Sequence, residues 1–164
     1  MAEHLREQIV ELRRRLELEH ESRVEADTII ECLARVRDAD DAEGAFGGIL
    51  ETLVDFVGDA EGVCLRLDSD ADPAVLATTD PDLASVEWPR GELPARSDHA
   101  RPLRLFDLSR GGAFATLLRR RPFSSALCLT IAGDDVGAMV ALFSPRRARF
   151  DRSHARVLKR LVPV

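Results

Sequence analysis

The chain has 164 residues, 45% of them apolar and 32% charged, with a net charge of −6. That composition describes a globular chain of one domain, or one domain with an appendage, and excludes a disordered or fibrous protein. No apolar run approaches the about 20 residues that cross a bilayer. The opening MAEHLREQIVELRRR lacks the apolar stretch and cleavage site of a signal peptide, so a cytoplasmic protein without membrane association is expected. Cys32, Cys64 and Cys128 lie too far apart for a zinc pattern and form no disulfide framework. Residues 1–82 carry 22 acidic and 8 basic side chains and residues 83–164 carry 7 and 15, which leaves the halves at −14 and +8. Such a split can orient the chain against a partner or a second copy, although dispersed surface charge on an arginine-rich sequence is the favoured reading.

Residues 3 to about 38 contain neither Gly nor Pro and are dominated by charge, which predicts one long helix of roughly 50 Å. Leu5, Ile9, Leu12 and Leu16 recur at alternating four- and three-residue steps, the seam of a coiled coil. The same register continues through Glu19 and Arg23 and then Ala26, Ile30 and Leu33, so the apolar stripe lapses and resumes; a shift onto Val24, Ile29 and Val36 is the alternative. Nothing else in the chain is placed to cover this stripe, and a parallel homodimer is the expected solution.

Asp38-Ala39-Asp40-Asp41 ends the pattern and offers a cap to a second helix, with Phe46, Ile49, Leu50, Leu53, Val54 and Val57 on one face and Gly58 after its end. Val63, Leu65 and Leu67 then alternate in the strand manner. A polar turn at 69–73 leads to a short strand, Ala74 to Thr78. Residues 80–100 hold three prolines and read as a long loop with one helical turn. Arg101 to Leu108 reads as a strand and Ser109 to Arg121 as a short helix presenting Phe114, Leu117 and Leu118. Phe123 to Ile131 and Val136 to Phe143 form a hairpin around Gly133-Asp134-Asp135. Asp151 caps a last helix whose inner face is Val157, Leu158, Leu161 and Val162. Helices at both ends of an antiparallel meander predict an α+β domain over 39–164 behind a separate helix at 1–38. The lack of a Gly-rich strand-to-helix turn argues against a doubly wound nucleotide fold.

Several strings carry a family likeness. Phe123 to Leu129 (FSSALCL), Asp135 to Phe143 (DVGAMVALF) and Arg149-Phe150-Asp151 followed by Arg156-Val157-Leu158 resemble the closing strands and helix of a GAF domain. A charged coiled-coil helix feeding a C-terminal GAF domain is similar, more narrowly, to the DUF484 family. The resemblance implies a sheet of five or six antiparallel strands, helices behind it, and a cover at 80–120 closing a small-molecule pocket in front. It implies lining by Trp88, His99, Arg104, Phe106, Phe114 and Leu118, with Ser125 from the sheet. The well-understood ligand classes are not matched. Cyclic-nucleotide members carry Asn-Lys-Phe-Asp-Glu, whereas Phe150 here leads, three residues on, to Ser153 and His154; bilin-binding members need a cysteine beside a histidine.

The residues themselves offer little chemistry. His4 and His20 lie on the charged helix, His154 is expected to be exposed in the last helix, and His99 alone falls in the presumed cover. No His, Cys, Asp or Glu spacing makes a metal site, and no cofactor can be named. Cys64 and Cys128 alternate into apolar strands that a third strand should separate, and Ser124-Ser125 lacks a nucleophile elbow. Free-methionine sulfoxide reductases are GAF domains of similar size, but they depend on cysteines over the pocket, where this chain has none. Arg101, Arg104, Arg110, Arg119, Arg120, Arg121, Arg146, Arg147 and Arg149 would suit an anionic ligand. An acidic pI of 5.3, no Tyr and a lone lysine, Lys159, weigh against nucleic acid. The expectation is a non-enzymatic sensory or regulatory module dimerised through Leu5, Ile9, Leu12 and Leu16. The alternatives are a protein-interaction scaffold with a vestigial pocket or a sulfoxide reductase.

Overall fold

With no Gly or Pro to interrupt it, the N-terminal segment is one unbroken helix, α1 (Ala2–Asp38), of 37 residues. The structure is a computed structural model and describes residues 1–94, 101–133 and 136–161. The two halves of α1 have different surroundings. Leu5, Ile9, Leu12 and Leu16 are at least half exposed. In the second half, Glu25, Thr28 and Cys32 are buried and Ile29 is partly so, a spacing that turns one helical face onto the rest of the chain. Val24 and Val36 stay exposed. Cys32 is fully buried, so the last turns of α1 pack against the back layer of the core.

Asp41 accepts the Gly44 N–H at 2.7 Å and caps α2 (Ala42–Val57), which ends on Gly58 in the left-handed region at φ 68°. Helices α1 and α2 touch so closely at Gly48 that a Cβ there would lie 2.9 Å from Arg35 Cβ.

Among the described residues, five strands form one antiparallel sheet: β1 (Glu61–Asp68), β2 (Ala74–Thr78), β3 (Leu103–Leu105), β4 (Ser125–Ile131) and β5 (Val136–Ser144), in the order β2-β1-β5-β4-β3. The last helix, α5 (Arg152–Arg160), lies behind it, capped by Asp151. Strand alternation sorts the core into two layers. Leu50, Leu53, Val57, Leu127, Leu129, Val140, Leu142 and Val157 fill the back, against α2 and α5. Val63, Leu65, Leu67, Met139, Ala141 and Phe143 face the front.

The front cover is more broken than the sequence implies. The expected strand over 101–108 shrinks to β3, since Pro102 has no N–H to give a ladder and Asp107 turns the chain by accepting the Ser109 N–H at 3.0 Å. The expected helix over 109–121 shrinks to α4 (Ala115–Leu118), because Gly111 and Gly112 interrupt it and Gly112 takes φ 70°. Ahead of these, the expected loop holds α3 (Pro81–Ala84), the one helical turn foreseen there, and a 3₁₀ turn, Arg90–Glu92. His99, the Asp134-Asp135 part of the hairpin turn, and Val162 lie outside the described residues.

Candidate functional site

Among the described residues, the front of the sheet beneath the cover carries a packed aromatic core. Phe143 of β5 lies at its centre, with ring centroids of Phe114 at 4.9 Å, Phe123 at 5.4 Å and Trp88 at 6.0 Å. All four side chains are buried, as are Leu83, Leu108 and Leu117 around them. Trp88 and Phe114, expected as lining, are therefore core residues here. Phe114 holds its place in the left-handed region, φ 57°, where a bulky side chain is rare. Its N–H donates to the Glu92 carbonyl at 2.9 Å, and the Glu92 carboxylate takes the Thr116 N–H and hydroxyl at 2.7 and 2.9 Å. Among the described residues the Trp88 indole N–H, also buried, has no acceptor.

The other expected lining residues do not converge on that core. Leu118 is partly buried at its edge. Phe106 is 51% exposed, and the Arg104 guanidinium lies over its ring at 5.2 Å. Ser125 is buried beside β5, where its hydroxyl donates to the Arg146 carbonyl at 2.5 Å and accepts the Arg149 N–H. Several of the arginines are engaged within the chain, Arg146 with Asp59 and Arg147 with Asp107 among them. Arg121 donates to both Glu61 oxygens at 2.6 and 2.7 Å and to Asp80 at 2.5 Å, fastening the cover to β1. Asp80, which also accepts the Asp82 N–H, is held below the usual carboxylate range by that N–H first and by Arg121 with it. Arg90 donates to the Ser69 and Ala71 carbonyls at 2.8 and 2.9 Å. The cover is thus tied down at both sides.

The thiols are equally enclosed. Cys64 faces the back layer and Cys128 the front, and β5 lies between their strands, as expected. Burial pushes both up to about 12 and Cys32 up to about 11. Among the described residues no three His, Cys, Asp or Glu side chains gather as metal ligands, and no helix is long and apolar enough to cross a membrane.

A second, unforeseen constellation joins the two ends of the chain. Glu25 of α1, 5% exposed, accepts the Ser153 hydroxyl and an Arg156 N–H, both at 2.6 Å. The Arg156 hydrogen bond holds its carboxyl below the usual glutamate range despite burial. Beside it, His154 is buried against Phe56 and Phe150 rather than exposed. Its Nδ1 accepts the Asp151 N–H at 3.1 Å while Asp151 accepts the His154 N–H, a reciprocal cap that draws the imidazole inward. Only the spacing of Ser153 and Arg156 on one face of α5 could have hinted at this lock. Where α1, α2 and α5 meet the β4–β5 hairpin, Leu33, Val36, Phe46, Ile49, Ile131 and Leu161 line an apolar groove of about 690 Å³.

The sheet order, the helices behind it and the cover in front define a GAF-like fold. The GAF domain of a phosphoenolpyruvate-protein phosphotransferase from Coxiella burnetii superposes with a TM-score of 0.69 at 14% identity, over 84% of this chain and 87% of that one. The free methionine-R-sulfoxide reductase of Neisseria meningitidis, solved with its substrate, gives 0.67 at 16% identity over 84% and 83%. A phycoerythrobilin-bound GAF domain from a cyanobacterial phytochrome gives 0.65 at 11% over 84% and 89%. Such different activities on one scaffold, at such identities, mean that the likeness establishes the fold alone. No protein-family model and no curated protein matches the chain.

Proposed function

We propose that the protein is a non-enzymatic regulatory module, paired with a second copy through α1, in which the state of the GAF-like domain and the arrangement of the paired helices are coupled. The observation that carries this reading is the continuity of α1: one helix bears an uncovered apolar seam in its first half and locks into the domain through Glu25 and Cys32 in its second. It is the arrangement that the DUF484 resemblance implies. A partner that binds one helix arrangement better would bias the domain, and the reverse must hold equally.

Two further observations weigh among the alternatives. The aromatic filling of the front favours a scaffold in which the helix does the recognising over a sensor holding a small anionic molecule at Trp88 and Phe114. The burial of all three thiols supports a reading without thiol chemistry, since the thiolate is the reactive form. Native mass spectrometry of freshly purified protein, with light scattering on Leu12→Glu/Leu16→Glu, tests the proposal. The expected result is a dimer mass without a retained molecule, and a folded monomer for the double variant. A monomeric wild type would overturn the pairing. Thioredoxin-coupled reduction of free methionine sulfoxide that is lost on Cys64→Ser or Cys128→Ser would replace the proposal with an enzyme.

A further inference from the structure

The back layer of the core runs out before the sheet does. Along β5 the back-facing positions are Leu142, Val140 and then Ala138, which is paired with Arg66 on β1 and with Ile131 on β4. A methyl group thus stands where the layer needs a large side chain, and space is left between this end of the sheet and the helices. That space is the groove of about 690 Å³, walled by Leu33, Val36, Phe46, Ile49, Leu76 and Leu161. Its volume falls within the range of small-molecule sites, about 300–1,000 Å³. It lies on the opposite face of the sheet from the aromatic core, and Leu5, Ile9, Leu12 and Leu16 line no part of it.

Among the described residues, the charged side chains on these walls are Arg66 and Arg160, with no carboxylate. Strand alternation puts Arg66 on the back face of β1, two residues beyond buried Cys64. Its Nε donates to Asp68 at 3.1 Å, which balances its charge. Arg160, the last residue of α5, makes no hydrogen bond or ion pair among the described residues. The walls therefore hold one cation in excess. A purely apolar occupant would leave that cation unmatched, and a wholly polar one would leave the leucines facing water. An apolar body with a single negative end matches both.

We infer that the groove binds a free long-chain carboxylate, one per chain, with its tail along Leu33, Phe46, Ile49 and Leu76 and its carboxylate at Arg160. A guanidinium fork and a carboxylate make paired, charge-assisted hydrogen bonds, and each methylene laid on the walls adds up to about fourfold in affinity. Leu33 and Val36 are 59% and 42% exposed, so the groove is open along α1 and its ligand exchanges with solvent. Such a ligand is lost on purification, in keeping with the empty dimer mass expected above. The walls come in part from α1 and from the end of α5, the helices that Glu25 and Arg156 join. A bound tail therefore touches both sides of that lock.

The test is calorimetric titration of the full chain with dodecanoate, kept below its micelle concentration. The expected result is one site per chain, weakened roughly two- to fourfold for each methylene removed in passing to decanoate. Dodecanol, with the same tail and no charge, should bind about tenfold more weakly. Arg160→Gln should remove that difference by weakening dodecanoate alone. Ala45→Phe, which puts a ring into the groove from α2, should abolish the binding of both. Val36→Asp, at an exposed position, makes a second test that does not disturb packing, since its carboxylate should repel dodecanoate and spare dodecanol. Circular dichroism melting checks that each variant is folded. Absent binding, dodecanol bound as tightly as dodecanoate, or several sites per chain unmoved by the variants would overturn the assignment. So would two results obtained without dodecanoate binding: an Ala45→Phe variant whose dimer mass changes, which gives the groove to a second copy, or Arg160-dependent flotation with phosphatidylglycerol vesicles, which gives it to a bilayer surface.

Discussion

Glu25 and Arg156, 131 residues apart, meet at 2.6 Å and tie the first helix of the chain to the last. The two are unequal partners, since the Glu25 side chain is 7% exposed and the Arg156 side chain 50%. Removing the arginine strands a buried charge; removing the carboxylate frees a cation that water can reach.

Arg156→Ala is therefore expected to destabilise the protein by about 2 kcal/mol, and adding Glu25→Gln should return part of that loss, because no ionised group is then left without its partner. Urea unfolding of the two variants decides it. Equal stability of Arg156→Ala and wild type would mean that the contact contributes nothing.

The neighbouring glycines of α2 should respond in opposite senses. Gly48→Val drives a side chain into Arg35 and is expected to cost about 1–3 kcal/mol, whereas Gly47, with nothing within 4 Å of its notional Cβ, should gain up to about 1 kcal/mol as Ala. Thermal unfolding followed by circular dichroism reads both, and a shared sign would refute the close approach of α1 and α2.

His154 makes stability depend on pH. Burial lowers its pKa below the ordinary value, with Asp151 and Glu25 opposing and Arg149 adding to the shift. The unfolded chain thus binds the proton first, so this contribution is complete above about pH 6.5 and declines as the pH falls below it. Protonation also ends the acceptance of the Asp151 N–H by Nδ1. The melting temperature of wild type should fall between pH 7 and pH 5 more steeply than that of His154→Gln; parallel curves would exclude His154 as the cause.

Trp88 combines good packing with an unpartnered indole N–H. Trp88→Phe removes the unsatisfied donor along with some contact area and should change stability by less than about 1 kcal/mol, while Trp88→Ala should cost about 3–5 kcal/mol. A Trp88→Phe variant as unstable as the alanine would show that the N–H is bonded in solution.

The sheet was legible because strand alternation is local: Val63, Leu65 and Leu67 name their face without reference to any partner. The Asp41 and Asp151 caps were legible for the same reason. The cover was not, because its shape follows from single backbone choices, Gly112 and Phe114 at positive φ and Pro102 without an N–H, that interrupt a plausible pattern. Of the candidate site, the position of the cover was foreseen but the direction of its side chains was not. Whether Phe114 lines a cavity or fills it depends on Phe143 and Trp88, distant in sequence. Glu25 gave no local sign, since a lone glutamate on a charged helix looks like any other until α5 arrives.

The unbroken α1 gives the molecule a lever. From Glu25, where the helix is pinned, to Ala2 it runs free for roughly 34 Å, so a tilt of about 5° at the pin displaces the tip by about 3 Å, more than half a helical turn. A rearrangement of α5 too small to disturb the core would thus be magnified at Leu5 into a displacement that a partner gripping the far end could feel.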